Sequence, residues 1–337
     1  MPLTNKNILI VVAGDISSNY VTAIHPLNLM QKTYAFKFDV LNIKDVLANK
    51  NIINAYHLVI FIRIILEASI EIAAYLLSKK IPLIYIVDDD FESLNNINII
   101  RLSPATTIPK LCRMATNVIV PSQTLYNKFK GFSRQIDRVG IYIDIDTIDS
   151  FNIIKKYTTD EIRIGYASSD HNYDNIKIVL PAIVHILKKY PQASFECFFE
   201  KKLKELEGLR NVVYLKPVRN MYDYYRFVAS RGWDIGLAPL DNIIFNESKS
   251  DIKYREYASL NIPGIYSNIA PYAGITNDGI LCKQTEWIEK IEELINNPSK
   301  RLEITKRAHY NISQILSKEN VFNIYNKIFK YCFEVLK

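Results

Sequence analysis

Two doubly wound α/β domains joined by one linker are the architecture this sequence predicts, and three observations predict it. The chain runs to 337 residues, longer than a single hydrophobic core usually grows. Short apolar runs rich in β-branched residues alternate with helix-patterned segments throughout. The alternation breaks once, at the polar, weakly patterned stretch 144–161 (DIDTIDSFNIIKKYTTDE), and then restarts.

In the first half the strand candidates are NILIVVAG (7–14), FDVLNI (38–43), LVIFIRI (58–64), LIYIVDD (83–89), NVIVPS (117–122) and DRVGIYI (137–143). Such uninterrupted apolar strands belong in a parallel sheet covered on both faces. Helical patterns fall at 19–32, 67–80, 104–115 and 122–130. After the linker come IRIGYAS (162–168), a helix over 174–190, SFECFF (194–199), NVVYLK (211–216) and WDIGLAPL (233–240). A polar loop and short helix follow, then the strand PGIYS and a largely helical tail. Pro191 and Pro298 stand just beyond helical stretches, as stop signals. The spacing of apolar residues over 319–336 predicts a packed amphipathic helix. The expected division is 1–150, 151–318 and a terminal helix, 319–337, packing back toward the first domain. In such a pair, ligands lie outside the C-terminal strand ends, in a cleft that the domains face.

Composition excludes several classes. Hydrophobic residues at 49% and charged residues at 23% describe an ordinary soluble globular chain. A formal charge of +7 and a pI near 8.9 suit an acidic ligand and permit peripheral contact with an anionic membrane surface. No run of like charge or recognition motif points to nucleic acid. Four cysteines far apart, with no CxxC pair, argue against a zinc site or disulfide framework and fit a reducing cytoplasm. The opening MPLTNKNILIVVAG is a first strand rather than a signal peptide, and no apolar run is long enough to span a membrane. The expected location is therefore cytoplasmic, including the inner face of the membrane. The sequence has no GxGxxG, no GxxxxGK[ST] and no GxSxG, which counts against dehydrogenases, P-loop NTPases and α/β-hydrolases.

The most informative stretch is FNESKSDIKYREYASLNIP, 245–263. Its polar loop (Asn246, Glu247, Ser248, Lys249, Ser250) feeds a helix carrying Lys253 and Glu256. Free amides and the helix dipole favour a phosphate at such a junction, and Glu256 is placed to grip sugar hydroxyls. A second constellation, SSDHNYD, follows a strand with Ser168, Ser169, Asp170, His171 and Asp174; its hydroxyls and amides can hold phosphate, and Asp174 can cap the next helix. A third is Asp88-Asp89-Asp90 after LIYIV, readable as metal-binding carboxylates, as acceptor-orienting acids, or as caps of the following segment. Arg63 breaks the run LVIFIRI at its cleft end, where a charge needs Asp88 or a ligand phosphate as partner. Gly14 allows close backbone approach after the first strand, and His25 reads as a satisfied core or surface histidine, or as an acceptor-side group.

These segments give the chain a family resemblance. IRIGYASSDHNYDNI (162–176), WDIGLAPL, FNESKSDIKYREYASLNIP and the pair Glu286-Trp287 resemble the second domain of GT-B glycosyltransferases, of the retaining family-4 (group 1) type. The first half is similar in architecture and in IYIVDDDFE (84–92). The resemblance implies that Glu256 binds the donor's ribose and that Lys249, Ser250 and Lys253 hold its diphosphate, with Ser168, Ser169, His171 and Asp174 beside them. The family often carries two glutamates separated by seven residues. Here Ser248 stands at the first position and Glu247 is one residue off, so the sugar-contacting acid is open between Glu247 and Asp251. In place of the family's basic pair stands His171, with Lys177 a turn along. Gly14, Arg63, Asp88, Asp89 and Asp90 fall on the acceptor side. The implied activity is retaining sugar transfer from a nucleotide-diphosphate sugar to a hydroxyl of a glycan, lipid-linked or protein acceptor, without metal or cofactor. Two alternatives accompany it: a non-catalytic nucleotide-sugar-binding partner of an active transferase, and a nucleotide-sugar 2-epimerase.

Overall fold

The computed structural model describes residues 3–14, 17–96, 104–151, 157–168 and 173–335. Contacts divide the chain into two compact units, the first made of Met1–Tyr142, Glu247–Ser250 and Lys318–Lys337, the second of Ile143–Asn246 and Asp251–Ser317. Each contains a six-stranded parallel sheet with helices around it.

In the first unit the strands are β1 (Asn7–Val12), β2 (Lys37–Asn42), β3 (Leu58–Ile62), β4 (Leu83–Ile86), β5 (Asn117–Val120) and β6 (Ile136–Arg138). Their order is β2-β1-β3-β4-β5-β6. β3 and β4 are buried along their whole length, as their unbroken apolar sequences require, and so is β5, whose buried Asn117 donates to Asp137 (2.7 Å). β2 lies at an edge and is partly exposed, which is where Lys37 and Asp39 are tolerated. The predicted strand over 137–143 is shorter than expected. β6 has one neighbour, its last ladder bond runs from Val139 N to Val120 O (2.9 Å), and Gly140 follows.

The helix after β1 contains a π turn, Tyr20–Ile24, before continuing as His25–Thr33. Pro26 explains the irregularity: it has no N–H to return to the Thr22 carbonyl. Tyr325, from the terminal helix Lys318–Glu334, donates its hydroxyl to that carbonyl (3.2 Å). His25 is buried and stacked between the rings of Tyr20 (5.6 Å) and Tyr142 (5.5 Å), a core histidine rather than an exposed one.

In the second unit the strands are β7 (Ile162–Tyr166), β8 (Ala193–Cys197), β9 (Val212–Tyr214), β10 (Ile235–Ala238), β11 (Gly264–Ser267) and β12 (Ile280–Cys282), ordered β12-β11-β10-β7-β8-β9. Counted within the unit, this is the dinucleotide-fold order, and its direction reverses between β7 and β10. The helix expected over 174–190 is two pieces, Tyr173–Lys177 and Leu180–Lys189. Pro181 opens the second, and its missing N–H cannot continue the first. Among the elements without a counterpart in the sequence reading are β12 and the helix Met221–Arg231, capped by Asn220 and ended at left-handed Gly232.

Candidate functional site

The site in the second unit is built at the reversal point. β7 and β10 pair only at Ile164 with Ile235 and Gly165 with Gly236, and then separate. The Tyr257 hydroxyl bridges the separating ends. It donates to the Leu237 carbonyl (2.8 Å) and accepts from the Ala167 amide (3.3 Å). Tyr257 belongs to the helix Ile252–Ser259, so that helix is fixed to both strands at the place where a doubly wound sheet binds its ligand.

Glu256, the preceding residue, is 6% exposed. Lys253 lies 2.5 Å from its Oε2 atom, and the Tyr224 hydroxyl donates to the same oxygen at 3.3 Å. The Lys253–Glu256 pair is therefore formed, but it is partly buried and shared with a tyrosine from another helix rather than lying on the surface. Burial, then the Glu256 charge, raises the Tyr224 pKa, so the hydroxyl stays a donor. Asp251 precedes the helix and spends its carboxylate on Arg255 Nε (2.6 Å), leaving the first-turn amides without a side-chain cap.

The loop after β10 is more ordered than its composition suggests. Its predicted polar segment begins with a helical turn, Ile244–Glu247. Ser267 accepts from the Leu240 amide (2.8 Å). Asn175 accepts from the Asp241 amide (2.9 Å) and from the buried Asn246 side chain (2.8 Å). Asn246 also donates to the Asp241 carbonyl (3.0 Å). Glu247–Ser250 group with the first unit, where Ser122 donates to the Ser248 carbonyl (2.6 Å) and caps the helix Gln123–Phe129 through the Leu125 amide (3.3 Å). Ser248 is fully buried. The second unit thus gathers Ser168, Asp251, Lys253 and Glu256, while Glu247, Ser248, Lys249 and Ser250 count with the first.

Ser168 is hydrogen-bonded to the buried Tyr166 hydroxyl. Asp174 does not cap a helix: the helix starts one residue earlier, at Tyr173, and the exposed carboxylate pairs with Lys177 at 3.0 Å. Ser169, Asp170 and His171 lie outside the described residues.

In the first unit the predicted residues follow the strand ends. Gly14 accepts from Asn19 (2.7 Å), and a Cβ built there would meet open space, so no neighbour demands its close approach. Arg63, after β3, has a left-handed backbone (φ 56°) and carries its guanidinium to Asp88 (2.5 Å) and Asp89 (2.9 Å), over the Phe91 ring. Burial and the Asp89 charge outweigh Arg63 and hold the Asp88 carboxyl above the usual range. Asp90 caps the following helix through Ser93 N (3.3 Å) and Oγ (2.7 Å), and meets Lys128 at 2.5 Å. Against burial, the Lys128 and Ser93 contacts lower its pKa. Among the described residues no group of three or more His, Cys, Asp or Glu is arranged to hold a metal ion.

The sequence reading missed Tyr224, Tyr257 and Asn175. Each acts through a partner far along the chain. The remaining signal is the aromatic run MYDYYRF behind an Asn cap.

No protein-family model and no curated protein matches the chain. Solved structures do. One is Alr3699/HepE of Anabaena in complex with UDP-glucose (12% identity, TM-score 0.69, 97% of this chain and 100% of that one). Another is an alpha-glucosyltransferase in complex with UDP-glucose and DNA containing an abasic site (11%, 0.69, 97% and 100%). A third is the UDP-GlcNAc 2-epimerase of Neisseria meningitidis bound to UDP-GlcNAc (13%, 0.54, 96% and 100%). At these identities the likeness establishes the fold: two Rossmann-like α/β units with C-terminal helices, as in GT-B proteins.

Proposed function

We propose that the chain transfers a sugar from a nucleoside-diphosphate sugar, of the UDP-sugar class, to an acceptor hydroxyl. The observation that carries this reading is the helix Ile252–Ser259 pinned to the strand reversal with the buried acid Glu256 on it. That is a place for a nucleotide, and two similarly folded proteins above, one of them an alpha-glucosyltransferase, are in complex with UDP-glucose.

In the reaction the bond between the anomeric carbon and the phosphate oxygen breaks, and its electron pair leaves with the nucleoside diphosphate. The acceptor oxygen bonds the anomeric carbon and gives up its proton to the departing phosphate. Uncapped amides at the helix start would stabilise the developing charge. Retention, the family-4 relationship and independence of metal belong to this proposal. Its support on the last point is that Asp88, Asp89 and Asp90 are already engaged by Arg63 and Lys128. A glycan, lipid-linked or protein hydroxyl is the proposed acceptor. Among the described residues no helix is long and apolar enough to cross a membrane.

A panel of nucleotide sugars should raise the melting temperature with one base preferred, because a bound ligand stabilises by mass action. Turnover of the preferred donor should survive a chelator; strict Mn²⁺ dependence would restore the acid triplet as a metal site. Glu256→Ala should weaken nucleotide binding by about tenfold or more, since it removes a charged hydrogen-bond acceptor. Unchanged affinity removes its ribose role. The epimerase-like fold of one neighbour favours a second reading, epimerisation at the sugar's second carbon. Conversion of donor to its epimer without any acceptor decides for it, and tight binding with no turnover decides for a non-catalytic partner.

A further inference from the structure

Glu256 is held asymmetrically. Both of its hydrogen-bonded contacts, with Lys253 Nζ (2.5 Å) and Tyr224 OH (3.3 Å), fall on Oε2. Among the described residues Oε1 takes none. The two partners also brace each other, the Lys253 ammonium lying 5.9 Å from the centre of the Tyr224 ring. Tyr224 is itself held. Its ring packs against Phe198 at 5.8 Å and Tyr225 at 5.3 Å, and Phe198 meets the buried Trp233 edge-on. A carboxylate clamped on one oxygen has lost its rotamer freedom before any ligand arrives and presents its other oxygen in a fixed direction.

We propose that Tyr224 and Lys253 are positioning residues that lock Glu256 through Oε2 and leave Oε1 as acceptor for the vicinal hydroxyls of a ribose, so that the site selects ribo- over 2′-deoxyribonucleoside diphosphates. The proposal rests on the donor reading above. It gives Lys253 a different task from the phosphate contact expected from sequence: its charge is spent on Glu256. It also brings in Tyr224, from the helix Met221–Arg231, as a specificity determinant.

The test is calorimetric titration of the full chain with UDP, 2′-deoxy-UDP and UMP, with each variant's urea midpoint measured alongside. The wild type should prefer UDP to 2′-deoxy-UDP by about tenfold to a hundredfold, the value of one hydrogen bond to a charged acceptor. Tyr224→Phe should shrink that ratio by about three- to tenfold, as expected for unlocking one side chain, with affinity for 2′-deoxy-UDP nearly unchanged. A variant that only loosened the fold would weaken both ligands together. Lys253→Met, whose stem still packs, should erode the ribose ratio and leave the UDP-to-UMP ratio in place.

Three results overturn the inference alone. If Tyr224→Phe and Lys253→Met both keep the wild-type ribose ratio, the clamp does not direct Oε1. If Lys253→Met instead collapses the UDP-to-UMP ratio, Lys253 serves phosphate. If the wild type binds UDP and 2′-deoxy-UDP equally, Glu256 is not a ribose acceptor, while the transferase reading stands. Absence of binding to any nucleoside diphosphate removes that reading and the inference with it.

Discussion

Gly165→Ala is expected to destabilise the second unit more than any other single methyl group added to it. Gly165 is the fourth of the five residues of β7, in register with Gly236 on β10. A Cβ at position 165 would lie 1.8 Å from Cδ2 of Trp233 and within 2.3 Å of two further ring atoms. The indole cannot swing aside. It is fully buried, packs edge-on against Tyr257 and Phe198, and donates its N–H to Glu196 at 2.8 Å. Overpacking a rigid core costs about 1–3 kcal/mol when neighbours can shift; with none able to, the expectation is the top of that range or beyond. Urea unfolding reads the loss as a lower midpoint. A midpoint equal to wild type would mean that Trp233 does not occupy the space above Gly165. The companion change, Gly236→Ala, would bring a Cβ to 2.8 Å from the Tyr257 ring. It therefore bears on the helix carrying Glu256 as well as on the core.

The same pair of glycines shows what could be read in the sequence. Strands such as LVIFI and LIYI were legible because a parallel strand covered on both faces has to be apolar at every position. The boundary errors have local causes: an edge strand with one neighbour stops early at Arg138, and Pro181 splits a helix whose apolar spacing runs on through it. The acid triplet and Arg63 were visible as charges at strand ends, and their pairing follows from the cost of burying a charge. Lys128, the partner of Asp90, comes from 38 residues further along the chain, where no local pattern points to it. Tyr257 and Tyr224 were hidden for a related reason. In a chain with 22 tyrosines a hydroxyl's purpose depends on the partner that folding brings to it. For Tyr257 that partner includes an amide 90 residues away. The reversal of strand order, which makes those partners meet, is a property of topology and has no signature in any one segment.

Glu196 carries the second large expected effect. It is buried in β8, and its two oxygens accept from three donor atoms: Arg231 Nε (2.7 Å) and Nη2 (2.6 Å), and Trp233 Nε1 (2.8 Å). Burial alone would raise its pKa, but the hydrogen bonds from Arg231 and Trp233 and the Arg231 charge lower it. The partner agrees, since Arg231 is raised by the same contact. Glu196→Ala strands a guanidinium and an indole N–H beside the core, at an expected cost of roughly 2–4 kcal/mol. The pH dependence separates charge from packing. Because the folded pKa lies below the unfolded one, the stability that ionised Glu196 contributes is complete above the ordinary glutamate range, about 4.3, and is lost as the pH falls through the lowered folded value. Glu196→Gln keeps the shape and cannot lose that contribution. Its urea midpoint should lie below wild type at neutral pH, and the gap should narrow as the buffer is taken down through pH 4. A gap that stays constant with pH would assign the loss to packing and remove the ion pair from the account of what holds Trp233, and with it Gly165 and the strand reversal, in place.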